Sequence, residues 1–134
     1  MTTSCSLCVA LGLGGLASAI SSCSTSSFYT TEAHDNMLTV PLSIFAETDL
    51  QIVRPGNIGY DIALHRQPDG KYDALVLRCT HADNPLSYTG SAFSCDVHGS
   101  KFDKEGIVLR GPAARPLKKL PVRMEGDHII IQVV

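Results

Sequence analysis

Tryptophan is absent from this chain of 134 residues, and aromatic side chains of all kinds make up only 6%. A platform of stacked aromatics for bases is therefore excluded. A basic footprint is missing too: eleven Lys and Arg stand against thirteen Asp and Glu, a formal charge of −2. That balance carries no signature of a nucleic-acid binder, so none is expected as a partner. Charge is missing altogether from residues 1–23. Internal repeats and sustained helical periodicity are also lacking, and the length allows one domain with one modest core.

The uncharged N-terminus reads as an address. Leu7 to Ile20 (LCVALGLGGLASAI) is an apolar stretch of fourteen residues, too short for a membrane-spanning helix and suited to a signal-peptide core. Ile20-Ser21-Ser22-Cys23 follows and looks like a bacterial lipobox. Cleavage there would leave a lipidated Cys23 whose acyl chains hold the protein to a membrane. The expected location is the periplasmic side of a bacterial envelope. A signal peptide should open with Lys or Arg, and none precedes Leu7; a start upstream of Met1 would supply them. The alternative is an uncleaved anchor helix, which Gly12, Gly14 and Gly15 weaken. Cys5 and Cys8 match Cys-x-x-Cys, but no strand–helix unit surrounds them, so thioredoxin-like work is not expected.

Residues 24–36 (STSSFYTTEAHDN) are polar and aperiodic and read as a tether, with His34 exposed and without a ligand role. From residue 37 the signals are for strands. Met37–Phe45 alternates, with Pro41 marking an edge. Leu50–Val53 is a short run. Ile58–His65 and Tyr72–Arg78 flank Gln67-Pro68-Asp69-Gly70, a hairpin turn. Ala92–Ser94, Lys101–Asp103 and Ile107–Arg110 are further short strands, and Lys104-Glu105-Gly106 is a turn. Leu117–Met124 and His128–Val134 form a last hairpin over Glu125-Gly126-Asp127. Many short strands and almost no helix predict an all-β fold, an antiparallel sandwich or barrel. His65 and His128 lie at strand ends far from any cysteine in sequence and read as surface or satisfied core histidines.

Two clusters remain, and they carry the chemistry: Cys79-Thr80-His81 and Cys95-Asp96-Val97-His98, with thirteen residues between them. Each offers one thiolate and one imidazole from a tight loop. Two Cys and two His can hold zinc in a closed tetrahedral site, although Cys-x-His is short for a zinc finger. The pattern Cys-x-His … Cys-x-x-His, continuing as CDVHGSKFDKEG and then Gly111-Pro112-Ala113, resembles the Rieske family over residues 37–134.

That resemblance implies a 2Fe-2S cluster with Cys79 and Cys95 on one iron and His81 and His98 on the other. It also implies a β-barrel-like base, residues 37–78 and 114–134, with a small cluster-binding subdomain inserted at about 79–113. Two neutral imidazoles in place of two thiolates remove negative charge and raise the potential above that of an all-Cys cluster. They also couple electron transfer to imidazole protonation. Ser100 stands where the family places a hydroxyl that donates to a cluster sulfide. Phe102 replaces the tyrosine that donates to a ligand sulfur in high-potential members. Asn84 and Val97 occupy the positions that a loop disulfide uses in many respiratory members, so this chain is ferredoxin-like in lacking it. Both departures push the expected potential below the top of the roughly −150 to +300 mV Rieske range. Asp83 and Asp96 read as solvated loop carboxylates.

The expected function is one-electron transfer by a membrane-tethered carrier, between quinol or a redox enzyme and a partner such as a cytochrome. A ferredoxin-like small subunit of a larger oxidoreductase is the alternative, and a non-redox lipoprotein that keeps the fold is a third. The chain has no room for the mononuclear iron domain of a Rieske oxygenase, so it is not expected to be an enzyme alone.

Overall fold

The structure, a computed structural model, describes residues 28–133. Cys5, Cys8, the apolar stretch 7–20 and Cys23 lie outside the described residues. Among the described residues no helix is long and apolar enough to cross a membrane.

Among the described residues twelve strands form three sheets. A five-stranded sheet takes the order β1 (Phe28–Thr31), β3 (Leu50–Pro55), β4 (Ile62–Arg66), β5 (Tyr72–Val76) and β10 (Lys119–Leu120). A three-stranded sheet takes the order β11 (Val122–Glu125), β12 (His128–Gln132) and β2 (Met37–Pro41). A four-stranded meander, β6 (Ser87–Tyr88), β7 (Phe93–Ser94), β8 (Lys101–Phe102) and β9 (Val108–Arg110), is inserted between β5 and β10. All pairings are antiparallel except β1 with β3. The fold is thus the expected base with an inserted subdomain.

Strand alternation explains the layering, because successive side chains of one strand point to opposite faces. In β4, Ile62 and Leu64 enter a core shared with Leu38 and Val40 of β2 and Ile129 and Ile131 of β12. Ala63, between them, enters a second core with Leu75, Phe93, Phe102 and both cysteines 79 and 95. The five-stranded sheet is therefore the middle layer, covered on one face by the three-stranded sheet and on the other by the insertion. Ile62, Ala63 and Leu64 are all fully buried for this reason.

The predicted hairpins form. Gly70 takes φ 82° and its N–H donates to the Gln67 carbonyl, closing the β4–β5 turn at Pro68-Asp69. Gly126, at φ 59°, turns β11 into β12. Pro41 ends β2 on the edge of its sheet, where a missing N–H costs no ladder bond.

Several expectations are corrected. Residues 28–36 are not a bare tether: Phe28–Thr31 adds to the edge of β3 in parallel register, Phe28 against Ile52 through Thr31 against Pro55. The Asn57 side chain then staples the following turn, donating to the Ala33 carbonyl and accepting from the Ala33 N–H at 2.8 Å each. Met37–Phe45 is a strand only to Pro41; Leu42–Phe45 is a 3-10 turn that buries Phe45. Leu117–Met124 is not one strand. Pro121 separates Lys119–Leu120, in the middle sheet, from Val122–Glu125, in the three-stranded sheet. The proline cannot donate, and its carbonyl accepts from Gln132 N–H at 3.0 Å. The chain changes sheets there.

Candidate metal centre

Both cysteines sit at the edge of the second core, 2% (Cys79) and 1% (Cys95) exposed, with their thiols close enough to hydrogen-bond. Both histidines are exposed. Their rings meet edge to face with centroids 4.9 Å apart. The four donors thus pair by element, sulfur with sulfur inside and nitrogen with nitrogen at the surface. Among the described residues no three of His, Cys, Asp or Glu converge closely enough for one metal ion. A tetrahedral zinc needs all four donors within about 2.3 Å of one point. Two adjacent irons joined by sulfides need one pair of donors on each.

The two loops close in the same way despite their different Cys-to-His spacing. Each cysteine N–H donates to the carbonyl five residues on, Cys79 to Asn84 and Cys95 to Ser100, both at 2.8 Å. Each cysteine carbonyl accepts from the N–H four residues on, that of Asp83 at 2.8 Å or Gly99 at 2.9 Å. That fourth residue must take a left-handed conformation, φ 54° at Asp83 and 78° at Gly99. Glycine adopts it freely, and aspartate is one of the few side chains that tolerate it.

Burial pushes the Cys95 thiol up, but the backbone N–H groups of His98 and Val97 and the Cys79 thiol outweigh it, and the net displacement is downward. Asp96 opposes that fall. The downward balance favours the thiolate, the form that binds metal.

Ser100 is completely buried, and its Oγ accepts the Ala113 N–H at 3.0 Å. A serine hydroxyl has one proton to donate besides its lone pairs. In this site the accepting side is used by the proline-containing loop, which follows the cis Gly111–Pro112 bond. Phe102 is fully buried in the second core and does core work. Asp83 and Asp96 are exposed, as expected, and Asp96 accepts from the Ser87 hydroxyl at 2.9 Å. Asn84 and Val97 form no loop staple; Val97 is 61% exposed.

Sequence reading missed two arginines that brace the first loop. Arg78 donates to the carbonyls of Asp83, at 2.8 Å, and Gly59. Thr80 Oγ1 donates to the Arg115 carbonyl at 2.6 Å, while Arg115 Nη2 reaches back to Thr80 O at 3.4 Å. His65 and His128 lie away from the site: His65 is buried, with Nδ1 3.2 Å from Gln67 Nε2, and His128 faces Asp127 at 2.7 Å.

Buried sulfur and exposed nitrogen on two matched loops define a metal-cluster domain of the sulfur–imidazole type. The chain belongs to the Rieske 2Fe-2S domain family, whose profile matches residues 42–121. A 2Fe-2S cluster is accordingly its cofactor. Over 80 residues it is 39% identical to a cytochrome b6-f complex iron-sulfur subunit of Nostoc, covering 57% of this chain and 45% of that one. Another such subunit, from Synechocystis, is 39% identical over 67 residues, covering 47% and 38%. The chain spans less than half the length of these curated relatives. In fold it is similar to a cyanobacterial plasma membrane Rieske protein from Synechocystis, with TM-score 0.58 at 21% identity, over 72% of this chain and 99% of that one. It is also similar to a chain of a hyperthermophilic respiratory complex III, with TM-score 0.54 at 24% identity, over 68% and 71%.

Proposed function

We propose that the chain is a one-electron carrier in which Cys79 and Cys95 would hold one iron of a 2Fe-2S cluster and His81 and His98 the other. The observation that carries this reading is the sorting of donors, thiols in the core and imidazoles at the surface. The bound cluster supplies a single-electron couple. The protein's part is positional. Cys79 and Cys95 anchor it where water is excluded, and the loop hydrogen bonds hold both thiols with no disulfide. Ser100 donates its remaining proton toward sulfur, which favours the more negative, reduced state. His81 and His98 are exposed to solvent and so form the natural exit for an electron.

In this reading Cys23 is lipidated and tethers the domain on the periplasmic side of a bacterial envelope. The redox partner is then quinol or an oxidoreductase on one side and a cytochrome on the other. The cytochrome-complex subunits among the relatives support a partner of that kind. The absence of a loop disulfide favours a second reading, a ferredoxin-like small subunit of a larger oxidoreductase.

The test is anaerobic purification followed by iron and sulfide analysis and electron paramagnetic resonance. Two irons and two sulfides per chain, with a mixed sulfur–nitrogen signal on reduction, are expected. The signal should vanish in Cys79→Ser and in His98→Ala. An unchanged signal in either variant overturns the ligand assignment.

A further inference from the structure

The eleven Lys and Arg divide sharply by location. Outside residues 78–118 there are five, and every one is ion-paired: Arg54 with Asp61, Arg66 with Asp49, Lys71 with Asp69, Lys119 with Asp73 and Arg123 with Glu125. Within 78–118 there are six, and among the described residues none forms an ion pair: Arg78, Lys101, Lys104, Arg110, Arg115 and Lys118. Four acids share that segment, giving it a formal +2, while nine acids against five bases leave the remainder at −4. A chain of net negative charge thus carries its positive excess on the cluster half.

The excess is placed beside the ligand loops. Arg110 Nη2 comes within 3.9 Å of where a Cβ on Gly99 would stand, next to the second loop. Arg115 and Arg78 bond the first loop at Thr80 and Asp83. Lys101 and Arg110 face each other across β8 and β9, both exposed. Like charges directly opposite on a sheet destabilise it, so folding gives no reason for that pair. The acids of the segment are mostly committed. Asp103 accepts the N–H groups of Glu105 and Ile107, Glu105 stands 4.0 Å from His65, and Asp96 holds Ser87. The same segment exposes three of the five large apolar side chains that stand in solvent among the described residues, Val97 (61%), Ile107 (53%) and Leu109 (62%). Apolar contacts rimmed by unpaired cations are what a protein interface needs.

We infer that Arg78, Lys101, Arg110 and Arg115 form a cationic collar around the imidazole face that docks an acidic redox protein, one whose electron-exchange site is rimmed by carboxylates. The inference rests on the electron-carrier reading above and adds the partner's surface chemistry. A flat anionic membrane is the other class of surface that such cations attract, but it would cover His81 and His98 and block the exit. A rounded protein face brings its redox centre to them instead. Complementary charge acts mainly on the encounter rate, and salt removes it.

The experiment uses the full chain, chemically reduced, and one c-type cytochrome in two forms: native, with its basic face, and with its lysines succinylated, so that the same face is acidic. At about 10 mM ionic strength the succinylated form should be reduced roughly tenfold faster, and the gap should close near 1 M salt, where screening acts within about 3 Å. In Lys101→Glu/Arg110→Glu the preference should disappear or invert. Faster reduction of the native form, no gap at low salt, or an unchanged gap in the double variant would each overturn the inference. The cluster signal of every sample is recorded first: its absence from the unsubstituted chain refutes the carrier reading, whereas a normal signal with no charge preference refutes the collar alone. Arg110→Gln serves if the double variant does not load, and should halve the gap or more. Capture by phosphatidylglycerol vesicles that is lost in the double variant would overturn the inference in favour of a lipid surface. Equal capture of both proteins supports it.

Discussion

In the base, β3, β4, β5 and β12 run five or six residues each, and their buried side chains fill a core that neither Cys79 nor Cys95 enters. In the cluster half, β6, β7 and β8 are two residues long and β9 three. Strands that short do not stand alone. The cluster half is held instead from two sides. Phe93 and Phe102 pack onto Ala63 and Leu75 of the middle sheet, and the two Cys–His loops are tied by their own backbone bonds. The Lys and Arg side chains follow the same division, ion-paired in the base and without a carboxylate partner around the site.

Removing a ligand tests that contrast most severely. Cys79→Ser should lose all cluster iron, and amide exchange over residues 79–113 should accelerate while β4 and β12 stay protected. Loss of protection throughout would mean that the base also depends on the metal. Phe93→Ala empties the centre of the second core and should cost about 3–5 kcal/mol in urea unfolding, with cluster loss at lower denaturant than base unfolding. Coincident transitions would show one cooperative unit. Gly106→Ala attacks the seam. Its Cβ would stand 3.1 Å from Leu117 Cβ and 3.2 Å from Leu75 Cδ2 at φ 84°, so a loss of about 1–3 kcal/mol is expected. A neutral result would mean the insertion can shift on the sheet. The smallest effect compares the two loops with each other. Asp83→Gly should be neutral or stabilising by up to about 1 kcal/mol, whereas Gly99→Ala should destabilise by about 1 kcal/mol or more. Measured melting curves of the pair would show whether the left-handed fourth position is equivalent in both.

Much of the site was legible because it is local. The Cys-x-His and Cys-x-x-His spacings and the residues after them point to the family whose profile matches the chain, and Gly70 and Gly126 name their turns. The bracing was not legible, because Arg115 lies 35 residues from Thr80 and no local pattern joins them. The same limit explains the strand errors. Phe28–Thr31 sits in a Ser/Thr-rich stretch with no alternation of its own, and it becomes a strand because the edge of β3 offers unpaired backbone groups. Leu117–Met124 reads as one apolar run, and only the competition of two sheets for its halves divides it at Pro121.

By itself the sequence determined the two Cys–His loops, the turn chemistry and the all-β character, since each depends on neighbours a few residues apart. Tertiary structure decided that the two cysteines face the core and the two histidines face water, and which cations find a carboxylate. Those outcomes depend on how the insertion packs on the middle sheet, and therefore on contacts between residues far apart in the chain.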